Sequence, residues 1–328
     1  MNGGNTLPQV VEVTENLSYP VVLSHPVSYA GNALILLARS PVEPPRSAAE
    51  PVESPEFRVV TGDPVQVALD CATDNGGIRV PFICAANRDY PGLRHQDQRP
   101  TYEEDFCDRS NLRDTLTRTK TNEYDDVPLY PITATGGIFS DKIAVYLGPR
   151  DKYEKLNPIP NLPVVSVPPV RRPPVNEDGT EYILEEDLLD MIAKIRGALL
   201  MCLSHLCNRI VVGDFGLGDG YYNPPQAVAE IWRDLFLFDT DIRGLFKSVD
   251  FVFLDPMQST TQWLQDERQK HNEREWMNNL ARDGISLTHN WEEPPSSRPA
   301  PTDMAIFQSV FDKKEIERLT QKALRANQ

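Results

Sequence analysis

The chain has 328 residues, of which 40% are hydrophobic, and a formal net charge of −15 that results from 48 acidic and 33 basic residues. This length is enough for one large domain or two small ones. The acidic balance argues against general binding to nucleic-acid backbones, which requires a basic face, although backbone amides can still hold a small phosphate ligand locally. No apolar stretch approaches the roughly 20 residues of a membrane-spanning helix, and no membrane association is predicted.

The five cysteines are odd in number and follow no framework spacing: Cys71, Cys84, Cys107, Cys202 and Cys207. This usage is typical of reduced thiols in the cytoplasm or the nucleus. His205 lies between the last two, but a second pair of ligands is missing, and cysteines on an apolar helix are commonly buried. We therefore predict no metal site and no cofactor.

Apolar runs and turn signals predict alternating strands and helices after an irregular arm and proline-rich linker over residues 1–56. Strands are predicted at 57–60, 79–86, 143–147, 164–167, 209–212 and 251–254, with residues 65–69 forming a strand or a short helix. Helices are predicted at 102–119 and 184–206, and a third follows Asn223, which can cap it with Pro224 and Pro225 in the first turn. This alternation predicts a three-layer α/β domain with a mixed or parallel sheet.

The character of the chain changes after Pro256. A polar, charged helix is predicted from Gln258 to Arg282, followed by a Pro/Ser-rich segment. Asp312 and Glu315 are spaced for a capping box that starts a last helix. Residues 257–328 are therefore predicted to be a helical C-terminal extension that packs on the domain or binds a protein partner.

An acidic pair, Glu103-Glu104, begins the helix predicted after a long irregular loop. Adjacent carboxylates repel each other, and one use for them is to hold a water or a sugar hydroxyl for glycosidic chemistry. The alternative interpretation is structural, because acidic side chains in a first helical turn offset the positive end of the helix dipole.

A glycine-rich loop covers residues 213–220, between a predicted strand and a predicted helix. Open α/β sheets bind ligands at the carboxyl ends of their strands. Gly213, Gly216 and Gly218 allow the main chain to approach a diphosphate closely. The same glycines are also common at such turns for packing reasons, so both interpretations stay open.

Four segments follow one another along the chain in a recognisable order. The first runs from Pro91-Gly92 to Glu103-Glu104, Cys107, Arg109, Ser110 and Leu112, and the others are Tyr130-Pro131 with residues 136–140, residues 165–168, and residues 212–218. This order resembles the microbial-type poly(ADP-ribose) glycohydrolases, which are macrodomain proteins. The resemblance implies a macrodomain-like three-layer α/β/α sandwich with a mixed sheet over residues 57–256. The chain departs from the family pattern at Leu93 and Arg94, which replace two glycines, and at Asp214 and Asp219 in the second loop.

The resemblance also implies roles for individual residues. Glu104 would be the acid/base residue at the anomeric carbon of a ribose, and Glu103 would orient it or bind a ribose hydroxyl. The implied ligand contacts are Asn87, which alternatively only forms a turn, Gly92, Gly213, Gly216, Gly218, and either Tyr221 or Tyr222. Arg94 departs from the family pattern, and its guanidinium is a candidate charged donor to a phosphate. The implied partner is ADP-ribose or an ADP-ribosylated protein.

Different classes of function stay open at this point. The retained acidic pair favours an enzyme that hydrolyses ribose glycosidic bonds in ADP-ribose polymers or adducts. The interrupted glycine loop and the aspartates of the second loop favour a binding or scaffold protein that has lost catalysis. A third alternative is an enzyme of the same fold acting on a neutral or cationic ligand, which Asp214 and Asp219 would help to bind.

Overall fold

The structure is a computed structural model that describes residues 20–22, 53–92, 101–117, 120–122, 125–127, 129–133, 136–218, 220–282 and 299–326. Its strands are β1 (Pro20–Val22), β2 (Glu56–Thr61), β3 (Phe82–Ala85), β4 (Lys120–Asn122), β5 (Asp125–Val127), β6 (Ile138–Ala144), β7 (Asn161–Val167), β8 (Arg209–Val212) and β9 (Ser248–Phe253). Its helices are α1 (Pro64–Asp74), α2 (Tyr102–Arg109), α3 (Leu112–Thr117), α4 (Glu185–Ser204), α5 (Pro225–Phe238), α6 (Thr260–Arg282), α7 (Asp303–Val310) and α8 (Lys313–Ala326).

Within these ranges the strands form one large mixed sheet. Its order is β1-β6-β7-β3-β8-β9-β2, and β4 pairs separately with β5. Strands β7, β3, β8, β9 and β2 run parallel, whereas β1 and β6 are antiparallel to their neighbours. The mixed sheet predicted from the sequence is confirmed, and β3 lies in its middle, where parallel strands place their carboxyl ends at one edge.

Each face of the sheet carries its own hydrophobic core. Ile83 of β3 packs with residues of α4, α5 and α7 on one face, and its neighbours Phe82 and Cys84 pack with residues of α1, α2 and α3 on the other. Successive side chains of a strand point to opposite faces, so a strand covered by helices on both sides must be apolar throughout. This explains why β3 is a continuous apolar run and confirms the α/β/α sandwich.

The helix predicted over residues 102–119 is in fact two helices. Ser110 ends α2 with an extended backbone (φ −145°, ψ 178°), and it forms an isolated bridge with Val145. Its hydroxyl donates to the carbonyl of Phe106 at 2.6 Å and accepts from the amide of Leu112 at 3.2 Å. One serine therefore closes α2 and opens α3, because its side chain replaces backbone partners that a continuous helix would supply.

Two other predictions are corrected by tertiary contacts. The strand predicted at 143–147 begins earlier, at Ile138, because β6 pairs with β7 through an irregularity between Ser140 and Ile143. Asn223 does not cap α5, whose N-cap is Pro224. The Asn223 side chain instead donates to the carbonyls of Val170 and Gly216, both at 2.7 Å, and so joins two loops.

The C-terminal segment contributes to the core of the sheet. Helix α7 was not predicted, yet its Phe307 ring lies 5.1 Å from that of Phe251 in β9, and the Phe311 ring lies 4.5 Å from the same residue. Asp312 accepts from the amides of Lys314 and Glu315 and caps α8, but the Glu315 carboxylate accepts from Arg318 instead of completing the predicted capping box. Part of the predicted extension thus packs on the domain. No helix in the described ranges has the length and apolar character needed to cross a membrane.

Candidate functional site

The acidic pair lies in the first turn of α2, beside the loop that leaves the central strand β3. Thr101 caps this helix, and three acidic residues follow in its first turn. Both glutamates of the pair are buried, with Glu103 1% and Glu104 4% exposed. Carboxyl groups are seldom buried this deeply unless they are hydrogen-bonded, so the partners of each one define what it does.

Glu103 is held by three donors, two from the loop after β3 and one from Tyr130. Its Oε2 accepts from the amides of Asn87 at 2.8 Å and Gly92 at 3.2 Å, and its Oε1 accepts from the Tyr130 hydroxyl at 3.1 Å. Burial raises the pKa of Glu103 from 4.5 to about 7, even though these three hydrogen bonds act in the opposite direction. Glu103 can therefore exchange a proton near neutral pH, and it also ties the loop after β3 to α2.

Tyr130 is the donor that sequence reasoning missed. It was noted only as part of a Tyr-Pro segment, because nothing local indicates that its hydroxyl reaches a carboxylate 27 positions away. Burial, followed by the charge of Glu103, raises the pKa of the Tyr130 hydroxyl. Tyr130 consequently stays protonated and acts as a donor to Glu103.

Glu104 is bound differently from its neighbour. Its Oε2 accepts from the amide of Thr101 at 3.0 Å, while its own amide donates to the Thr101 hydroxyl at 3.3 Å, which completes a capping box. Thr101 is the one hydrogen-bond partner of this carboxylate among the described residues. The structural interpretation of an acidic first turn therefore applies to Glu104, and its catalytic role stays a prediction.

The first loop is shaped by turn geometry and close packing. The Asn87 side chain accepts from the amides of Asp89 at 2.8 Å and Tyr90 at 3.2 Å, so it forms a turn, as its alternative interpretation predicts. Gly92 has φ +59°, and a Cβ there would lie 2.8 Å from the Cys107 sulfur, so only glycine fits. Leu93 and Arg94, which follow, lie outside the described residues.

The second loop is anchored by side chains rather than open on all sides. The carbonyl of Gly216 accepts from Asn223, and the amide of Gly218 donates to the Thr260 hydroxyl at 3.0 Å. A Cβ added at Gly213 would make only ordinary contacts, the nearest to the Phe82 ring at 3.6 Å, so packing does not require glycine there. The Asp214 carboxylate accepts from Gln258 at 3.3 Å. Asp219 lies outside the described residues.

The two predicted aromatic contacts connect this loop in different directions. The Tyr221 hydroxyl donates to the carbonyl of Ala86 at 2.6 Å, so the second loop reaches the end of β3 next to Asn87. The Tyr222 ring stacks on Trp263 of α6, with centroids 3.5 Å apart and an angle of 6° between the rings. Of the predicted residues, Glu103, Asn87, Gly92 and Tyr221 thus converge on the end of β3, whereas Tyr222 and Gly218 contact the C-terminal segment.

Ion pairs of the buried Arg109 side chain fix α2 at its C-terminal end. Arg109, which is 2% exposed, donates to Asp63 at 2.7 Å and lies 2.8 Å from Asp105. Asp63 in turn accepts from the amide of Gln66 and caps α1. The sequence indicated Arg109 only as part of a family pattern, and the structure shows that it joins the end of α2 to the start of α1.

The groups near Glu103 that can act as acids or bases are carboxyl groups rather than thiols. All five cysteines are free and buried, and burial raises the pKa of Cys84, and that of Cys107 to about 12. These thiols stay neutral and are poor nucleophiles. Within the described ranges, no group of three His, Cys, Asp or Glu side chains is arranged to hold a metal ion.

Comparison with known proteins identifies the fold. No protein-family model and no curated protein sequence matches the chain. A solved structure of the poly(ADP-ribose) glycohydrolase from Thermomonospora curvata matches with a TM-score of 0.53 and 20% identity, over 76% of this chain and 85% of that one. The same enzyme bound to the inhibitor ADP-HPD matches with a TM-score of 0.50 and 19% identity, over 76% and 84%. The fold implied by the sequence resemblance is thus confirmed: this chain has the macrodomain-like α/β/α fold of that glycohydrolase.

Proposed function

We propose that this chain binds ADP-ribose units at the carboxyl edge of its sheet and hydrolyses their ribose glycosidic bonds. One observation carries the proposal: the adjacent carboxyl groups of Glu103 and Glu104 are both buried beside the end of the central parallel strand, and burial raises the pKa of Glu103 to about 7. Ligands of open α/β sheets bind at this edge. The matching structure that contains ADP-HPD belongs to a glycohydrolase of the same fold.

The two carboxyl groups have separate tasks in this proposal. Both oxygens of Glu103 accept hydrogen bonds, so it holds the loop of Asn87 and Gly92 in place and orients its neighbour. Glu104 keeps one oxygen on the Thr101 amide, and its other oxygen serves the substrate. It protonates the leaving oxygen of the glycosidic bond and then accepts a proton from the attacking water, as in two-step acid/base catalysis at sugars.

The ligand contacts follow from the same geometry. The Asn87 side-chain oxygen accepts two hydrogen bonds within its turn, which leaves the side-chain NH₂ group to donate to a sugar hydroxyl. Gly213, Gly216 and Gly218 bring the second loop to the edge beside β3, where Tyr221 already contacts Ala86. Because Asp214 is buried and its carboxylate accepts from Gln258, this side chain is engaged within the protein rather than presented to a ligand, and we propose a diphosphate rather than a cationic group as the ligand of this loop.

A calorimetric titration with ADP-ribose, followed by a turnover assay on poly(ADP-ribose), tests this function. We expect the wild-type protein to bind and to release ADP-ribose, and E104Q to bind with turnover reduced by about 10²- to 10⁴-fold, the usual contribution of an acid/base residue. E181Q, which changes an exposed glutamate, is the matched control and should behave as wild type. Equal turnover by E104Q and E181Q would refute the assignment of Glu104.

A second candidate function is recognition of ADP-ribose without hydrolysis. The capping box favours it, because the Glu104 carboxylate already stabilises the start of α2. Such a protein would bind ADP-ribose in the calorimeter, and neither the wild type nor E104Q would release product. Absence of binding by the wild type would refute both functions.

A further inference from the structure

The second glycine loop is attached to the C-terminal segment through a buried carboxylate. Asp303, in the first turn of α7, is 0% exposed. Its Oδ1 accepts from the amide of Thr260 at 2.8 Å, and its Oδ2 accepts from the Thr260 hydroxyl at 2.7 Å and from Gln258 at 3.0 Å. All three partner groups are donors, so both carboxyl oxygens of Asp303 act as acceptors in this arrangement.

The Thr260 hydroxyl connects the Asp303 carboxyl group to the loop. Its only hydrogen is given to Asp303, so its oxygen accepts from the amide of Gly218 at 3.0 Å. Gly218 also lies directly against Gln258, since a Cβ on this glycine would be 2.7 Å from the Gln258 side-chain nitrogen. Asp303 is therefore connected to the loop in two ways: by two hydrogen bonds in series through Thr260, and by its hydrogen bond from Gln258, which lies against Gly218.

We infer that Asp303 is a positioning residue for ligand binding: acting through Thr260, it sets the main-chain conformation of the loop at Gly216–Gly218. The C-terminal segment is then part of the ligand site, because it fixes a loop of that site. This inference rests on the proposed function in that it takes the loop to be the diphosphate-binding loop. The physical reason is that a buried amide without a partner costs free energy, so loss of the hydroxyl favours other loop conformations.

Neighbouring threonines provide a matched test. Thr260→Val removes the bridging hydroxyl, Thr260→Ser keeps it, and Thr261→Val removes an adjacent buried hydroxyl that has no hydrogen-bond partner among the described residues. For each protein we would measure the dissociation constant for ADP-ribose, the hydrogen-exchange rate of the Gly218 amide by NMR, and the unfolding free energy in urea.

We expect Thr260→Val to weaken ADP-ribose binding roughly tenfold and to accelerate Gly218 exchange by a similar factor, the value of about one hydrogen bond. Thr260→Ser should restore both quantities, and Thr261→Val should leave both at wild-type values. Asp303→Asn should act in the same direction as Thr260→Val, because an amide group would face three donors.

Several outcomes separate the two proposals. If Thr260→Val changes affinity and Gly218 exchange no more than Thr261→Val does, the inference is overturned. A loss of unfolding free energy in Thr260→Val without a selective change at Gly218 also overturns it, because the role would then be general packing. If the wild type binds no ADP-ribose, the proposed function fails, and the exchange of Gly218 still decides whether Asp303 controls the loop.

Discussion

Replacement of Glu103 by glutamine should change how the stability of this protein depends on pH. The substitution keeps the shape of the side chain. Its carbonyl oxygen can accept from the amides of Asn87 and Gly92, and its amide group can donate to Tyr130, whose hydroxyl is free to rotate and accept. The variant therefore removes the titration and keeps the hydrogen-bonded loop.

The magnitude follows from the pKa of the buried carboxyl group. Burial raises the pKa of Glu103 from 4.5 to about 7 in the folded protein. Below pH 4.5 the carboxyl group is protonated in both the folded and the unfolded state. Between the two pKa values the folded state binds more protons, so the unfolding free energy falls as the pH rises, and above pH 7 the loss is complete. At about 1.36 kcal/mol for each tenfold change in proton affinity, it amounts to about 3 kcal/mol.

The assay is urea denaturation of wild type, E103Q and E181Q between pH 4.5 and 8.5. The unfolding free energy of E103Q minus that of wild type should grow by about 3 kcal/mol over this range. E181Q, at an exposed position, should follow the wild type in parallel. A difference between E103Q and wild type that stays constant with pH would refute the argument, since Glu103 would then keep one protonation state throughout.

Three further substitutions test the surroundings of this carboxyl group, and a fourth, in α4, is a control for the glycine replacement. Arg109→Met removes the guanidinium that contacts the partly buried Asp63 and Asp105, and we expect a loss of about 1.5–3 kcal/mol of unfolding free energy in urea; a loss below about 1 kcal/mol would contradict these ion pairs. Gly92→Ala places a Cβ 2.8 Å from a sulfur at φ +59° and should cost about 2–3 kcal/mol. Gly197→Ala, with nothing within 4 Å in the middle of α4, should instead stabilise by about 0.5–1 kcal/mol. Tyr130→Phe removes a hydrogen bond that lowers the pKa of Glu103. The pH range over which the unfolding free energy falls should therefore extend to higher pH, which urea denaturation at a series of pH values would measure.

Much of the fold could be predicted from local patterns. The strands at 209–212 and 251–254 and the long helix α4 were identified within a few residues, because burial on both faces demands continuous apolar runs and helical burial demands a 3.6-residue period. The predictions that failed depend on contacts between distant segments. Ser110 interrupts a helix because it pairs with Val145. Asn223 does not cap a helix because its side chain donates to the carbonyls of Val170 and Gly216.

The sequence by itself determined the acidic pair at a helix start and the glycines in a strand-to-helix loop. It also determined an order of segments that resembles one family. Only the tertiary structure decided what these groups bind. In the folded chain Glu103 accepts a hydrogen bond from Tyr130, Glu104 accepts one from the cap residue of its own helix, and the Gly218 amide donates to Thr260. The reason is physical: the protonation state of a buried carboxyl group and the partner of a buried amide depend on desolvation and on donors brought close by packing, and these are properties of the folded chain rather than of any local stretch of sequence.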